Sequence, residues 1–270
     1  MEAMSGLVMK SESSGRGEPV VFVPGGLTGW ISWKLHAERL ASGYRVVRVQ
    51  LLSVDFGFRG QALPPDYSVG TEVEALRGAL DEVGLSEAHL VAWSYGAEVA
   101  LSYALADPER VISLTLIEPP AAWVLRSRGL MAAELEEQRQ SLRSMEAADV
   151  SEEQLAWFTH FAGFVPPDVD PRKLPQWPTW MEYRQSLRTG DAAMRHQDDI
   201  ARVRSFGRPV LLFKGTGSAA FLNRIIDVLG QEFPQATVEE LPGGHALHLA
   251  NRERFLALLE AFLERATAGR

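Results

Sequence analysis

The stretch "VAWSYGAEVA", Val91–Ala100, decides the fold. An apolar run reaches Trp93, a serine follows, and a helix-forming run begins at Tyr95. Ala92 and Gly96 stand two positions either side of Ser94, and the bulky pair Trp93 and Tyr95 flanks it. A strand that turns abruptly into a helix needs small residues there, so that its two arms can approach and the serine stands exposed. The alternative for Ser94 is an ordinary helix N-cap, where serine is also favoured.

Outward from this point the chain alternates. Strands are expected at Pro19–Gly26, Tyr44–Leu52, Ala88–Trp93, Arg110–Glu118 and Arg208–Gly215. Between them lie helical stretches at Ser32–Ser42, Gly70–Gly84 and Tyr95–Asp107, with others at Ala220–Glu232 and Arg252–Ala266. In the second of these, Val73, Leu76, Leu80 and Val83 make one helix face, and Thr71 with Glu74 reads as a capping box. Strand–helix alternation of this kind gives an α/β fold with a doubly wound, mostly parallel sheet. The rhythm stops after Pro119 and Pro120. Residues 121–205 offer helices, a proline-rich break and many aromatics, but no strand. The expected organisation is an α/β core at 1–120 and 206–270 with a helical cap (lid) domain at 121–205.

Composition narrows the function. The chain has 270 residues, 46% of them hydrophobic, and a formal net charge of −8. An acidic chain with no basic run is a poor nucleic-acid ligand, and no nucleic-acid partner is expected. Cysteine is absent, which removes disulfides, thiolate metal sites and a cysteine nucleophile. His245 and His248 lack further clustered ligands, so neither a metal nor another cofactor is expected. No apolar run is long enough to span a membrane, and the first residues lack the apolar core of a secretory signal. No membrane partner is expected, and the expected location is cytoplasmic. A homodimer is left open.

Four motifs in order now carry a resemblance. "VPGGLTG" (Val23–Gly29), "AWSYGA" around Ser94, "ADPERVISLTLIEPP" and "LPGGHALHL" resemble, in turn, the oxyanion loop, nucleophile elbow, following strand and histidine loop of the α/β-hydrolase fold family. The resemblance spans nearly the whole chain. It implies Ser94 as nucleophile and His245 as general base, with His248 as the fallback base. It implies an oxyanion hole built from the N–H groups of Tyr95 and of Gly26, or of Leu27 beside it. The family most often keeps its acid after the strand before last, where this chain has Gly217 between Thr216 and Ser218. Its second solution places the acid after the strand that follows the nucleophile, which here is Glu118. A dyad without an acid, or another carboxylate, is the alternative.

The Pro-x-Gly-Leu-type loop and this glutamate resemble zearalenone-type lactone hydrolases. The resemblance implies a serine hydrolase cleaving a carboxylic ester or lactone of an apolar small molecule through an acyl-enzyme. Leu27, Trp177, Trp180, Met181 and Tyr183 are the expected pocket residues. Two further readings stay open: a carbon–carbon bond hydrolase of aromatic degradation, and a non-catalytic ligand-binding protein on the same fold. Haloalkane dehalogenases and epoxide hydrolases need aspartate at the elbow, and Ser94 excludes them.

Overall fold

The computed structural model describes residues 7–146 and 149–269. Residues 1–6, the start of the stretch read for a secretory signal, and two residues of the expected cap lie outside them. Seven strands form one sheet: β1 (Lys10–Ser14), β2 (Pro19–Val23), β3 (Arg45–Gln50), β4 (Ala88–Trp93), β5 (Val111–Ile117), β6 (Val210–Gly215) and β7 (Ala236–Leu241). Their order is β1-β3-β2-β4-β5-β6-β7. Only β1 pairs antiparallel. Every residue of β4 and β5 is buried, as expected of central parallel strands covered on both faces. β1 is missing from the sequence reading. Its polar run KSESS lies at a sheet edge and carries no apolar signal.

Thirteen α-helices accompany the strands among the described residues. In chain order they are α1 (Lys34–Leu40), α2 (Leu52–Phe58), α3 (Val69–Glu82), α4 (Tyr95–Ala106), α5 (Ala122–Ser127), α6 (Ala133–Arg143) and α7 (Glu152–Phe161). Then come α8 (Trp177–Tyr183), α9 (Ala192–Arg195), α10 (Ile200–Ser205), α11 (Ala220–Glu232), α12 (Leu247–Ala250) and α13 (Arg252–Ala268). The start of α3 corrects the expected cap. Ser68, not Thr71, is the N-cap, and Thr71 sits at the third helical position and returns the bond. The reading placed the box one turn late because Ser68 precedes Gly70, a poor helix former.

Strand alternation sorts the core into two layers. Val21, Val23, Leu90, Ala92, Leu114, Leu116 and Leu212 face the side of α3, α4 and α11. Val20, Phe22, Val91, Trp93, Ile117, Leu211 and Phe213 face α1 and α13. Helices α5 to α10 lie between β5 and β6 in the chain. A third, smaller core forms among them around Met145, Leu155, Trp177 and Trp180, with Leu27 joining it from the loop after β2. Asp191 ties these helices down. It is fully buried and ion-pairs with Arg139, Arg143 and Arg195, and Arg195 also donates to the Tyr67 carbonyl.

The chain leaves β3 and crosses β2 to reach β4, so the strand order reverses between β2 and β4. A crevice opens at such a point, at the C-terminal strand ends. Register aligns what stands there. Val23 pairs with Ala92, and Trp93 pairs with Ile117, so Ser94 and Glu118 follow directly on neighbouring strands.

Below this crevice His36 and His248 are buried among Trp33, Trp93 and Phe255. Burial lowers the His36 pKa to about 4 and holds His248 well below its ordinary value. Both are therefore neutral in the fold at pH 7, and their stability contribution is present above pH 6.5. The His36 share is lost as the pH falls from 6.5 towards 4, because only the unfolded chain binds that proton. Chemical denaturation at pH 5 should give a folding free energy lower by roughly 2 kcal/mol through His36 alone, at 1.36 kcal/mol per pH unit. His36→Leu should remove the His36 share of that slope between pH 7 and 5 and leave the His248 share.

Candidate active site

Ser94 has φ 55° and ψ −129°, a backbone conformation that disfavours every side chain and costs about 1–3 kcal/mol. The surroundings impose it. The Ser94 N–H donates to the Ile117 carbonyl at 2.8 Å, and the Ser94 carbonyl accepts from the Ala97 N–H at 2.8 Å. A Cβ on Gly96 would lie 2.1 Å from the Pro24 carbonyl oxygen, so only glycine lets α4 pack against the loop after β2.

The two aromatics beside the serine are anchors. Trp93 fills the space over Gly25, where a Cβ would come within 2.9 Å of its ring. Its indole N–H donates to the His245 carbonyl at 2.8 Å, across 152 residues of chain. The Tyr95 hydroxyl lies 3.0 Å from that of Tyr67, which donates to buried Glu72 at 2.7 Å. Glu72 also accepts from the N–H groups of Leu52 and Ser53 at the start of α2. Nothing local in the sequence shows what these two aromatics reach.

His245 lies between the serine and a carboxylate. Its Nδ1 is 2.7 Å from Glu118 Oε2, and its Nε2 is 2.8 Å from Ser94 Oγ. Glu118 is fully buried, and its other oxygen, Oε1, accepts from the Gly215 N–H at 2.6 Å. With Nδ1–H donated to the carboxylate, Nε2 is left as acceptor for the serine hydroxyl. Glu118 has φ 45°; it and Ser94 are the only non-glycine residues with positive φ among those described. Strain is thus concentrated on the two strand ends that face the imidazole. His245 is itself held by its N–H, which donates to the Gly163 carbonyl at 2.9 Å. Gly217, where an acid is commonest, instead donates its N–H to the Gly243 carbonyl. His248 takes no part: both ring nitrogens are buried without hydrogen-bond partners. Ser102, His196 and Asp198 form a second cluster of similar composition, but both bonds of His196 run through Nε2, so it links no acid to a serine.

Ser94 and His245 open into a cavity of about 80 Å³. Gly26, Leu27 and Tyr95 line it, and a Cβ on Gly26 would sit 3.5 Å from that of Tyr95. Most of the remaining wall is apolar, from Phe158, Phe161, Phe164 and Phe221 with Leu142 and Met194, and Ser186 and Thr189 add two hydroxyl residues. The expected pocket residues divide. Leu27 is in the wall, whereas Trp180 faces a neighbouring groove. Trp177, Met181 and Tyr183 do not line the cavity; they pack in the core of the inserted helices, Tyr183 also against Phe58. Helix α8 turns these side chains inward, and it is α7 and the turn after it that present aromatics to Ser94. The 157, 158, 161 spacing marks one helix face as apolar without telling a core from a cavity.

Trp93→Phe removes the donor to the His245 carbonyl and leaves that oxygen buried and unpaired, a loss of about 1–3 kcal/mol. Turnover of a reactive ester should fall with it, by about tenfold in kcat with KM little changed. Steady-state kinetics on the purified variant checks this.

The model of the Alpha/beta hydrolase family matches residues 20–258. Among curated relatives, the chain is 32% identical over 116 residues to the 2-hydroxymuconate semialdehyde hydrolase of Pseudomonas sp. (strain CF600), covering 42% of this chain and 40% of that one. It is 32% identical over 120 residues to the 2-hydroxy-6-oxo-2,4-heptadienoate hydrolase of Pseudomonas putida, covering 43% of each chain. The matched stretch thus spans about two fifths of these relatives. Among solved structures, a thermophilic esterase from Thermogutta terrifontis superposes with a TM-score of 0.77 at 20% identity, over 98% of this chain and 96% of that one. The enol-lactonase of Burkholderia xenovorans LB400 gives 0.70 at 15% identity, over 95% and 96%. At these identities the structures speak for the fold alone.

Proposed function

Because this chain belongs to the alpha/beta hydrolase family, we propose that it is a serine hydrolase that cleaves a neutral carboxylic ester or lactone through Ser94, His245 and Glu118. The observation that carries the reading is the unbroken pair of contacts, 2.8 Å from Ser94 to His245 and 2.7 Å from His245 to Glu118. A serine hydroxyl is a poor nucleophile until a base takes its proton. His245 Nε2 accepts that proton as Oγ bonds to the substrate carbonyl carbon. Glu118 holds the tautomer and stabilises the imidazolium. Negative charge on the carbonyl oxygen is met by the N–H groups of Tyr95 and of Gly26 or Leu27, a contribution of about 3–4 kcal/mol per donor in comparable sites. His245 then returns the proton to the leaving oxygen. Water, deprotonated by the same nitrogen, frees the acid from Ser94. In this reading residues 121–205 serve as the cap over the site.

Hydrolysis of a carbon–carbon bond beside a ketone uses the same groups and is the second reading. The relatives named for semialdehyde and dienoate substrates favour it. A dienoate is an anion, however, and no Lys or Arg among the described residues lines this cavity. Burying an unpaired carboxylate in an apolar wall is costly, which favours the neutral ester.

Incubation with a small fluorophosphonate, followed by intact mass and peptide mapping, tests the reading without the natural substrate. One adduct on Ser94 is expected. Folded protein with no adduct would overturn it.

A further inference from the structure

Beside the catalytic cavity runs a second, larger hollow of about 700 Å³, between α1, the segment leading into α8, and α12. The two compartments share Leu27, Trp93 and Phe164 as common walls. Three of the six exposed large hydrophobic residues among those described line this groove: Ile31, Leu35 and Leu249, at 42%, 54% and 42% exposure. Its one lysine or arginine, Arg252, pairs with Glu253. Scattered exposed apolar residues need no explanation, but three gathered along one groove that abuts a catalytic site do.

The groove's position assigns it to one half of the substrate. The leaving oxygen must lie at His245 Nε2 to receive the proton. Phe164 packs edge-on against the His245 ring at 4.8 Å, and Ala246, the next residue, already lines the groove. Elsewhere in the wall the stacked rings of Phe161 and Phe221, 5.3 Å apart, stand between the cavity and a smaller hollow of about 350 Å³. The groove beside His245 is thus twice the size of the hollow behind the stacked rings, and the catalytic cavity itself has room for only a short acyl group.

Building on the reading of Ser94 as nucleophile, we infer that the substrate is an open-chain ester of a small acid with a long apolar alcohol, whose chain lies in this groove. As Oγ bonds to the acyl carbon, the carbon–oxygen bond to the alcohol breaks. The serine proton passes through His245 Nε2 to that oxygen, and the free alcohol leaves along Ile31 and Leu249. Water then releases the small acid.

Two substrate series test this on the full chain: alkyl acetates from methyl to octyl, and methyl alkanoates from acetate to octanoate. The expected kcat/KM rises about two- to fourfold per added CH₂ in the alcohol, since each buried CH₂ contributes about 0.8 kcal/mol. It should fall as the acyl chain grows. Ile31→Glu and Leu249→Glu, both at exposed positions, should each cut the octyl-to-methyl acetate ratio by about tenfold. Val238→Glu, an exposed apolar residue on β7 away from the groove, should not change that ratio. A rise with acyl length and none with alcohol length overturns the inference, as does an unchanged ratio in both groove variants. So does a dimer in sedimentation that either groove variant dissociates, which would give the groove to a second copy of the chain. Turnover of neither series together with no phosphonate adduct on Ser94 defeats the serine-hydrolase reading itself, and this inference with it.

Discussion

Ser94→Ala should lower kcat for any substrate by about six orders of magnitude, the scale set by loss of the serine in a comparable triad. The fluorophosphonate adduct should vanish with it. The wall's other hydroxyl residues, Ser186 and Thr189, should not replace it, because His245 Nε2 points at Ser94 Oγ and the Ser186 hydroxyl donates to the Leu27 carbonyl. Stability gives a second readout. Ser94 sits at φ 55°, which alanine tolerates no better than serine, so the alanine variant keeps the strain. Ser94→Gly removes it. The glycine variant should be equally inactive yet more stable than the alanine variant, by about 1–2 kcal/mol in chemical denaturation. That pairing separates a strained catalytic residue from a helix cap. A cap residue has ordinary extended backbone, and its side chain bonds into the helix, whereas Ser94 makes no such capping bond. An alanine variant that retains one per cent of wild-type kcat would show that Ser94 is not the nucleophile.

How far the sequence showed this in advance depends on what each residue touches. The five inner strands were legible because a parallel sheet covered on both faces demands continuous apolar runs, as in "AHLVAW" and "VISLTLI". β1 was not, because an exposed edge strand can be as polar as KSESS and is held by backbone bonds and by the ion pairs Lys10–Asp55 and Glu12–Arg48. Ser94 and His245 were legible for a related reason. A tight strand-to-helix turn needs Gly96, and the histidine loop needs its glycines, because a Cβ on Gly244 would lie 2.2 Å from the Gly163 carbonyl oxygen. The cavity wall was not legible. The aromatics of α7 and α8 both follow helical spacing, and spacing shows that a face is buried without showing whether it faces a core or a cavity. Trp177 was therefore expected in the pocket and Phe161 was not, although of the two it is Phe161 that lines the cavity. The tether from Trp93 to the His245 carbonyl spans 152 residues, and no local pattern announces it.

Glu118 is the position where reading and geometry can be tested hardest. Glu118→Gln should lower kcat by about four orders of magnitude, comparable with the loss when a triad carboxylate becomes an amide. The reason lies in both oxygens. Oε2 accepts from His245 Nδ1–H, and Oε1 accepts from the Gly215 N–H. A glutamine offers one acceptor and one donor. If its oxygen faces Gly215, its NH₂ meets Nδ1 and forces the tautomer whose Nε2 carries a proton and cannot accept one from Ser94. If its oxygen faces Nδ1, its NH₂ meets the Gly215 N–H, and two donors collide in a buried site. The fold should survive, which circular dichroism can check, because the side-chain volume is kept. Loss of less than tenfold would show that another group orients His245. The double variant Glu118→Gln/Gly217→Asp then asks whether the commoner acid position can serve. A Cβ on Gly217 has ordinary room, 3.5 Å from the Gly243 carbonyl oxygen, and the glycine's φ is not positive. Recovery of part of the lost kcat is the expected outcome. Both sites follow strand ends on the same side of the sheet, and register brings Ile117 level with Phe213 on β6, whose end leads to Gly217. The new carboxylate must still leave the N–H of residue 217 bonded to Gly243, so recovery should be greatest for aspartate and absent for the longer glutamate.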